Sequence, residues 1–422
     1  MHPSGVIAGA DPPAESTFTP QARLRVLVVA PQPFFAQRGT PINVRQMVQV
    51  LCEAGHEVHL ATYPMGAPVS IPGLQIHRAM RIPGVRGVPI GFSWRKVALD
   101  ASLALRVWLL VAGSRFDVVH AVEESVFFAM PVARLRGIPV IYDMDSSLSE
   151  QLEYGGHVRN VALLRMLRRM ERSALRRARL AITVCAALTE TVRALAPGAL
   201  VAQIEDCPLE EALRAPDRAR VEQLRATYGL QSRRVIMYTG NFESYQGIEL
   251  LVDAFAHVAR ARDDVTLVLV GGAPAQMEAV RAHATARGVG DRVVLPGPRP
   301  AEEMPEWMAA GDVLVSPRLH GANTPLKLYS YMWSAVPIVA TNLPTHTQVL
   351  DATTAVLRAP TGEEFASGII EVLADPVHFA PLGAAARSRV ASDYSRDAFR
   401  RKLLAAYASV APGVRSSVAT SM

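Results

Sequence analysis

Lysine is nearly missing from this 422-residue chain. Of 44 basic side chains, three are lysine (Lys96, Lys327 and Lys402) and the other 41 are arginine. Cysteine is as scarce. Cys52, Cys185 and Cys207 show no paired metal-ligand spacing, and an odd number argues against a disulfide framework, which fits a reducing cytoplasm. Aromatic residues make up 6% of the chain and form no stripe with basic ones, so a nucleic-acid partner is not expected. No window of 18 or more apolar residues is free of charge. The nearest, Val97 to Ala112, is broken by Asp100 and Arg106 and reads as a buried or partly exposed helix. The opening "MHPSGVIAGADPPAESTF" lacks a basic stretch followed by an apolar core, so no signal peptide is expected. Also absent are a Ser-His-Asp order, zinc-ligand spacing and a lysine-bearing P-loop. "GVRGVPIG" (Gly84 to Gly91) is rich in glycine, but it does not lead from a strand into a helix as a dinucleotide fingerprint must.

What is present is a repeated alternation. "RVLVV", "EVHLAT", "DVVHA", "PVIYD" and "LAITV" read as strands, with helices predicted over Pro41 to Gly55, Ser125 to Leu135 and Arg159 to Arg177. The pattern restarts after a polar segment, Asp206 to Arg218. "VIMYTG", "VTLVLVGG", "RVVLPG", "DVLVSP" and "PIVAT" follow as five more strands, with helices over Ile248 to Arg260 and Ala275 to Ala286. The expectation is an α/β chain of two tandem doubly wound domains with a cleft between them, each of about 200 residues. The expected boundaries are a disordered leader 1–22, a first domain 23–207, a linker 208–218, a second domain 219–394, a returning helix 395–411 and a disordered tail 412–422.

Ligands of such sheets bind beyond the carboxyl ends of the strands, and several chemistry-bearing residues fall there. In "APQPFFAQRGTPINV" the chain turns from strand to helix through Arg38, Gly39 and Thr40, where backbone amides can approach an anion. "DVVHAVEE" and "PVIYDMDSS" place His120, Glu123, Glu124, Asp143 and Asp145 at strand ends. For the aspartates, capping of the following turn is the alternative. "VLVSPRLHGANTPLKLYSYM" runs from a strand through Arg318 and Asn323 into a helix, with Thr324 expected as its N-cap and Pro325 as its first residue. A lysine in that first turn, Lys327, is unfavourable beside the positive end of the helix dipole unless an anion is bound there. The arginine-dense segment Arg159 to Arg179 fits either a solvated face of a packed helix or an anionic membrane face.

Taken together, "RVLVVAPQPFFAQRGTPINV", "DVVHAVEE", "IYDMDSSLSEQL", "YTGNFESYQGIELLVDAF", "LVLVGGAP" and "TPLKLYSYMWSAVPIVATN" resemble the family 4 glycosyltransferases, from about Arg23 to Ala411. These are retaining enzymes of the two-Rossmann-domain GT-B architecture. The resemblance implies a nucleoside-diphosphate-sugar donor on the second domain, an acceptor on the first and no metal or other cofactor. Carried over position by position, Lys327 and Arg318 face the leaving diphosphate. Gly39, Thr40, Gly240, Asn241, Gly297, Arg299, Asn323, Thr324, Leu326 and Ser330 hold the donor. His120, Glu123 and Asp145 line the acceptor side.

Several positions depart from the family pattern. Ser330 stands where a glutamate usually binds ribose, and Ala322 where an acidic residue stands eight positions earlier. The Gly-Arg and Lys-Gly pair that clamps the diphosphate reads Gly240-Asn241 and Gln246-Gly247, and Asp145 replaces a histidine. The expected function is transfer to a glycan, a lipid-linked glycan or a small hydroxyl compound, in the cytoplasm or on the inner face of its membrane. A catalytically weakened GT-B protein that binds nucleotide sugar, or a nucleotide-sugar epimerase, are the alternatives.

Overall fold

A computed structural model describes residues 23–36, 39–85, 87, 93–148 and 161–411. The expected leader and tail, Arg38, Arg159 and most of Gly84 to Gly91 lie outside the described residues.

The first sheet has seven parallel strands: β1 (Arg25–Ala30), β2 (Glu57–Thr62), β3 (Leu74–Arg78), β4 (Val118–Val122), β5 (Val140–Met144), β6 (Leu180–Thr183) and β7 (Val201–Gln203). Their order is β3-β2-β1-β4-β5-β6-β7. The second sheet has six: β8 (Arg234–Thr239), β9 (Val265–Val270), β10 (Val293–Gly297), β11 (Val313–Ser316), β12 (Ile338–Thr341) and β13 (Val356–Arg358), in the order β10-β9-β8-β11-β12-β13. The two sheets repeat one scheme. In each, the order reverses beside the first strand, between β1 and β4 and between β8 and β11. Connections leaving those strands diverge to opposite faces, which opens a crevice at their carboxyl ends.

Central strands are aliphatic because helices cover both of their faces. All six residues of Val265–Val270 are buried. On one face of the first sheet the helix Gly39–Glu53 packs with Val44, Met47, Val48 and Leu51 inward. On the other lie the helices Trp94–Gly113, Val126–Leu135 and Val161–Arg177. In the second domain, Ile248–Ala261 buries eight of its 14 residues, and each fully buried leucine, valine or phenylalanine contributes about 1.5–3 kcal/mol. β3, β7 and β13 were not expected. The first is a half-exposed edge strand, and the other two are only three residues long, so none carries an aliphatic run.

The last helix, Arg396–Val410, joins the first domain's core through Phe399, Leu403, Leu404 and Tyr407. It therefore crosses back over the Asp206–Arg218 segment. Arg396 and Glu53 at 2.6 Å, together with the Lys402–Glu205 pair, fasten it there. Among the described residues, no single helix is long and apolar enough to cross a membrane.

Candidate active site

The second-domain wall is built at the β8/β11 reversal. β8 delivers Tyr238 and then Gly240, whose φ of 140° is open to glycine and strained for other residues. A Cβ on Gly240 would stand 3.3 Å from the Lys327 Nζ. Gln246 and Gly247 follow at the start of the next helix. Gly247 has φ 72°, and a Cβ there would stand 2.1 Å from the Pro317 carbonyl oxygen, so the loops after β8 and β11 touch through a glycine. Lys327 then enters from the β11 side. Its Nζ donates to Gln246 Oε1 at 3.1 Å and lies 3.7 Å from the centre of the Tyr238 ring. Burial, and then the charge of Arg318, hold the Lys327 ammonium well below the usual lysine range. This wall therefore carries a lysine with neutral partners and a nearby like charge, where an anion would be strongly favoured.

Arg318 is buried and committed to its own loop. Its Nε donates to the His320 carbonyl at 2.7 Å and Nη2 to Asn323 Oδ1 at 2.8 Å, over the Tyr245 ring. That bond holds residues 318–323 in place of a regular helix start. The helix accordingly begins at Lys327 itself and runs to Ser334, with Leu326 before it and no side-chain cap. The expectation that Thr324 caps the helix and Pro325 opens it is corrected. Thr324 is buried and its hydroxyl caps no backbone N–H of the helix. Ser330 lies inside the helix and is buried. Asn241 accepts from Tyr238 OH through its carbonyl. Gly297 closes β10, its carbonyl accepting from Gly271 N. Arg299 is turned to Tyr228 OH at 2.7 Å and to the Trp307 ring.

The first-domain wall is acidic. Gly39 and Thr40 begin their helix, and a turn later Asn43 Nδ2 donates to Asp145 Oδ1 at 3.3 Å. Glu123 sits directly after β4 with a φ of 50° and accepts from Ser146 Oγ at 3.2 Å. Burial, reinforced by neighbouring carboxylates, raises the Glu123 carboxyl to about 7 and that of Asp145 well above the usual range. Glu124 pairs with Lys96 at 2.5 Å.

His120 is corrected as a cleft residue. It is fully buried, with Nε2 3.1 Å from Asp143 Oδ2 and Nδ1 2.8 Å from Tyr407 OH. It stands behind Asp143 and links it to the last helix.

The two walls meet at a seam. Gln348 Nε2 and Cys185 Sγ both donate to the Ala322 carbonyl, while Gln348 Oε1 accepts from Ala187 N at 2.8 Å. Ala322 thus contributes its backbone where the family has an acidic side chain. Asp206, at the crossing between domains, has its carboxyl raised to about 7, chiefly by burial and then by Asp143. Burial, and then the charge of Asp206, push up the Tyr329 hydroxyl in the Lys327 helix. Sequence reasoning named neither Asp206 nor Tyr238, Asn43 or Tyr407 as a site residue. Only the Glu205-Asp206 pair beside the linker offered a signal. Among the described residues no group of three or more metal-ligating side chains forms.

Known proteins match this fold over most of the chain. Residues 38–204 fit the glycosyl transferase 4-like domain, and residues 233–375 fit the glycosyl transferases group 1. The chain belongs to the family 4 glycosyltransferases of GT-B fold. It is 30% identical over 181 residues to a GDP-mannose-dependent α-(1-6)-phosphatidylinositol monomannoside mannosyltransferase of Mycolicibacterium smegmatis, covering 41% of this chain and 47% of that one. It is 29% identical to a 2-deoxystreptamine N-acetyl-D-glucosaminyltransferase of Streptomyces fradiae, covering 69% and 71%. The matched stretch spans 42%, 47% and 40% of three of its relatives. In structure it is similar to the Anabaena protein HepE solved with UDP-glucose, with a TM-score of 0.73, 17% identity and coverage of 92% and 100%.

Proposed function

We propose that the chain transfers a sugar from a nucleoside-diphosphate sugar to an acceptor hydroxyl, with retention at the anomeric carbon and no metal ion. The observation that carries this reading is the convergence of Lys327, Gly240 and Gln246 at the β8/β11 reversal. In this reading the donor diphosphate lies against Lys327 and the glycine turn, and its charge restores the proton that burial drives from the lysine. Stabilising the departing diphosphate is then the largest catalytic term. Lys327 supplies the charge that the family's clamp would supply, and Arg318 orders the loop while adding to the local field. Gly297 and Arg299 border the base, and Asn323, Thr324, Leu326 and Ser330 border the ribose and sugar. Gly39 and Thr40 close on the diphosphate from the opposite wall.

Glu123 and Asp145 bind acceptor hydroxyls, and the acceptor proton leaves on a donor phosphate oxygen, so no side chain acts as an obligatory base. The relatives' names span 2-deoxystreptamine and phosphatidylinositol mannoside acceptors. For this chain the acceptor is a glycan, a lipid-linked glycan or a small polyol. An acceptor carried on lipid would require it to work at a membrane surface.

The test is release of free nucleoside diphosphate from uridine, guanosine and adenosine diphosphate sugars, with and without acceptors. Proton NMR of the product's anomeric proton distinguishes retention, the expected outcome, from inversion. One observation favours a second reading: Asn241 and Gln246 are neutral where the clamp is charged. A nucleotide-sugar-binding partner without turnover would raise its melting temperature with ligand and release no diphosphate with any acceptor.

A further inference from the structure

Of 13 large apolar side chains exposed among the described residues, ten lie on three neighbouring helices of the first domain: Trp94–Gly113, Val126–Leu135 and Val161–Arg177. These helices pack side by side over one sheet face, and Trp108 Nε1 donates to the Phe128 carbonyl across the first pair. On the longest, Trp94, Val97, Leu105, Trp108 and Leu109 recur at helical spacing while Leu99, Leu103, Val107 and Val111 point into the core. The helix thus has two apolar faces, one buried and one open. Trp94 is 69% exposed, Leu109 59%, and Leu135 at the end of the next helix 80%. Large apolar groups gathered on one surface mark an interaction site rather than the scattered exposure normal for a folded protein.

The charges around them have one sign. Arg95, Arg134, Arg165, Arg169 and Arg176 are all exposed. The two carboxylates on these helices turn inward: Asp100 accepts from Tyr63 OH at 2.5 Å, and the buried Glu171 accepts from Leu148 N at 2.8 Å. Arginines with leucine, methionine and tryptophan on an uninterrupted face suit an anionic bilayer, where basic groups meet headgroups and indole rings lie at the polar boundary.

We infer that this three-helix face docks on an anionic phospholipid bilayer. The inference stands on the surface alone and is independent of the transfer reaction. It also orients the molecule, because Lys96 in the first turn of the long helix pairs with Glu124 beside the acidic wall. Docking brings the acceptor side of the cleft toward the lipid.

The test is flotation of the full chain with vesicles of phosphatidylglycerol and phosphatidylcholine, and with phosphatidylcholine alone, at about 0.05 M and about 0.5 M salt, where screening lengths differ roughly threefold. Flotation with the anionic vesicles at low salt, lost at high salt and absent with phosphatidylcholine alone, is expected. Val97→Glu with Leu109→Glu, and separately Arg165→Glu with Arg169→Glu, should each cut partitioning about tenfold or more at an unchanged melting temperature. Tryptophan emission of the unaltered protein should shift to the blue on anionic vesicles, because Trp307 is already buried and Trp333 partly so. No flotation at low salt, equal flotation with phosphatidylcholine, or altered chains that float as the original does would overturn the proposal. Concentration-dependent self-association that Leu109→Glu abolishes, in a chain that ignores vesicles, would do so too by assigning the face to a second copy.

Discussion

The Lys327 ammonium sits 3.7 Å from the centre of the Tyr238 ring, with Gln246 as its hydrogen-bond partner at 3.1 Å and, among the described residues, no carboxylate bonded to it. In the proposed reading, a half-buried lysine given only a ring and an amide is held for an anion that arrives from outside. Burial and Arg318 both push its proton off. A diphosphate would pull it back, so donor binding should take up protons at a pH between the lysine's unliganded and liganded values. Titration calorimetry in two buffers of different ionisation enthalpy checks this. Heats that differ between buffers are expected, and identical heats would count against it.

The acidic wall sets a pH dependence of opposite origin. Burial, and then the neighbouring carboxylates Asp143 and Glu124, hold the Asp206 and Glu123 carboxyls at about 7, against ordinary values of 3.8 and 4.5. The folded chain therefore keeps protons that the unfolded chain has released between about pH 4 and 7, and stability falls as pH rises through that window. Asp206→Asn removes part of the loss. Its melting temperature should exceed the original's by a few degrees at pH 8 and match or fall below it at pH 4. An equal difference at both pH values contradicts the assignment.

Tyr407→Phe deletes one hydroxyl and leaves His120 Nδ1 buried without its partner. An unpaired buried group costs about 1–3 kcal/mol. Urea unfolding should show that loss. No change would mean that the last helix is fastened without this bond.

Two glycines separate geometry from function. Gly247→Ala places a Cβ 2.1 Å from the Pro317 carbonyl at a φ of 72° and should lower stability by about 1–3 kcal/mol. Gly39→Ala meets nothing within 4 Å and should leave the melting temperature unchanged. A drop in donor affinity in Gly39→Ala alone would then report on ligand approach. Loss of stability in it would show that the turn itself needs glycine.

The two-domain fold was legible because inner parallel strands are buried on both faces and read as aliphatic runs. β3, whose Gln75 is exposed, and the three-residue β7 and β13 carry no such signal. Lys327 stood out by rarity in an arginine chain. The position of its helix start did not, because Thr-Pro before an apolar run looks like a cap. The helix starts at Lys327, beyond a loop that the Arg318–Asn323 bond ties to itself, a side-chain contact that no sequence period announces. His120 was misplaced for a similar reason, since its partner Tyr407 lies 287 residues further along the chain. Asp206 acquires its environment only when the last helix and both domains close over it.

Replacing Lys327 by alanine and measuring nucleoside diphosphate release tests the central claim most directly. A fall of about 100-fold to 1,000-fold in turnover, as for loss of one preorganised transition-state contact, is predicted, with a melting temperature that holds or rises because a lysine placed beside the like charge of Arg318 is gone. An undiminished rate and donor affinity would contradict it.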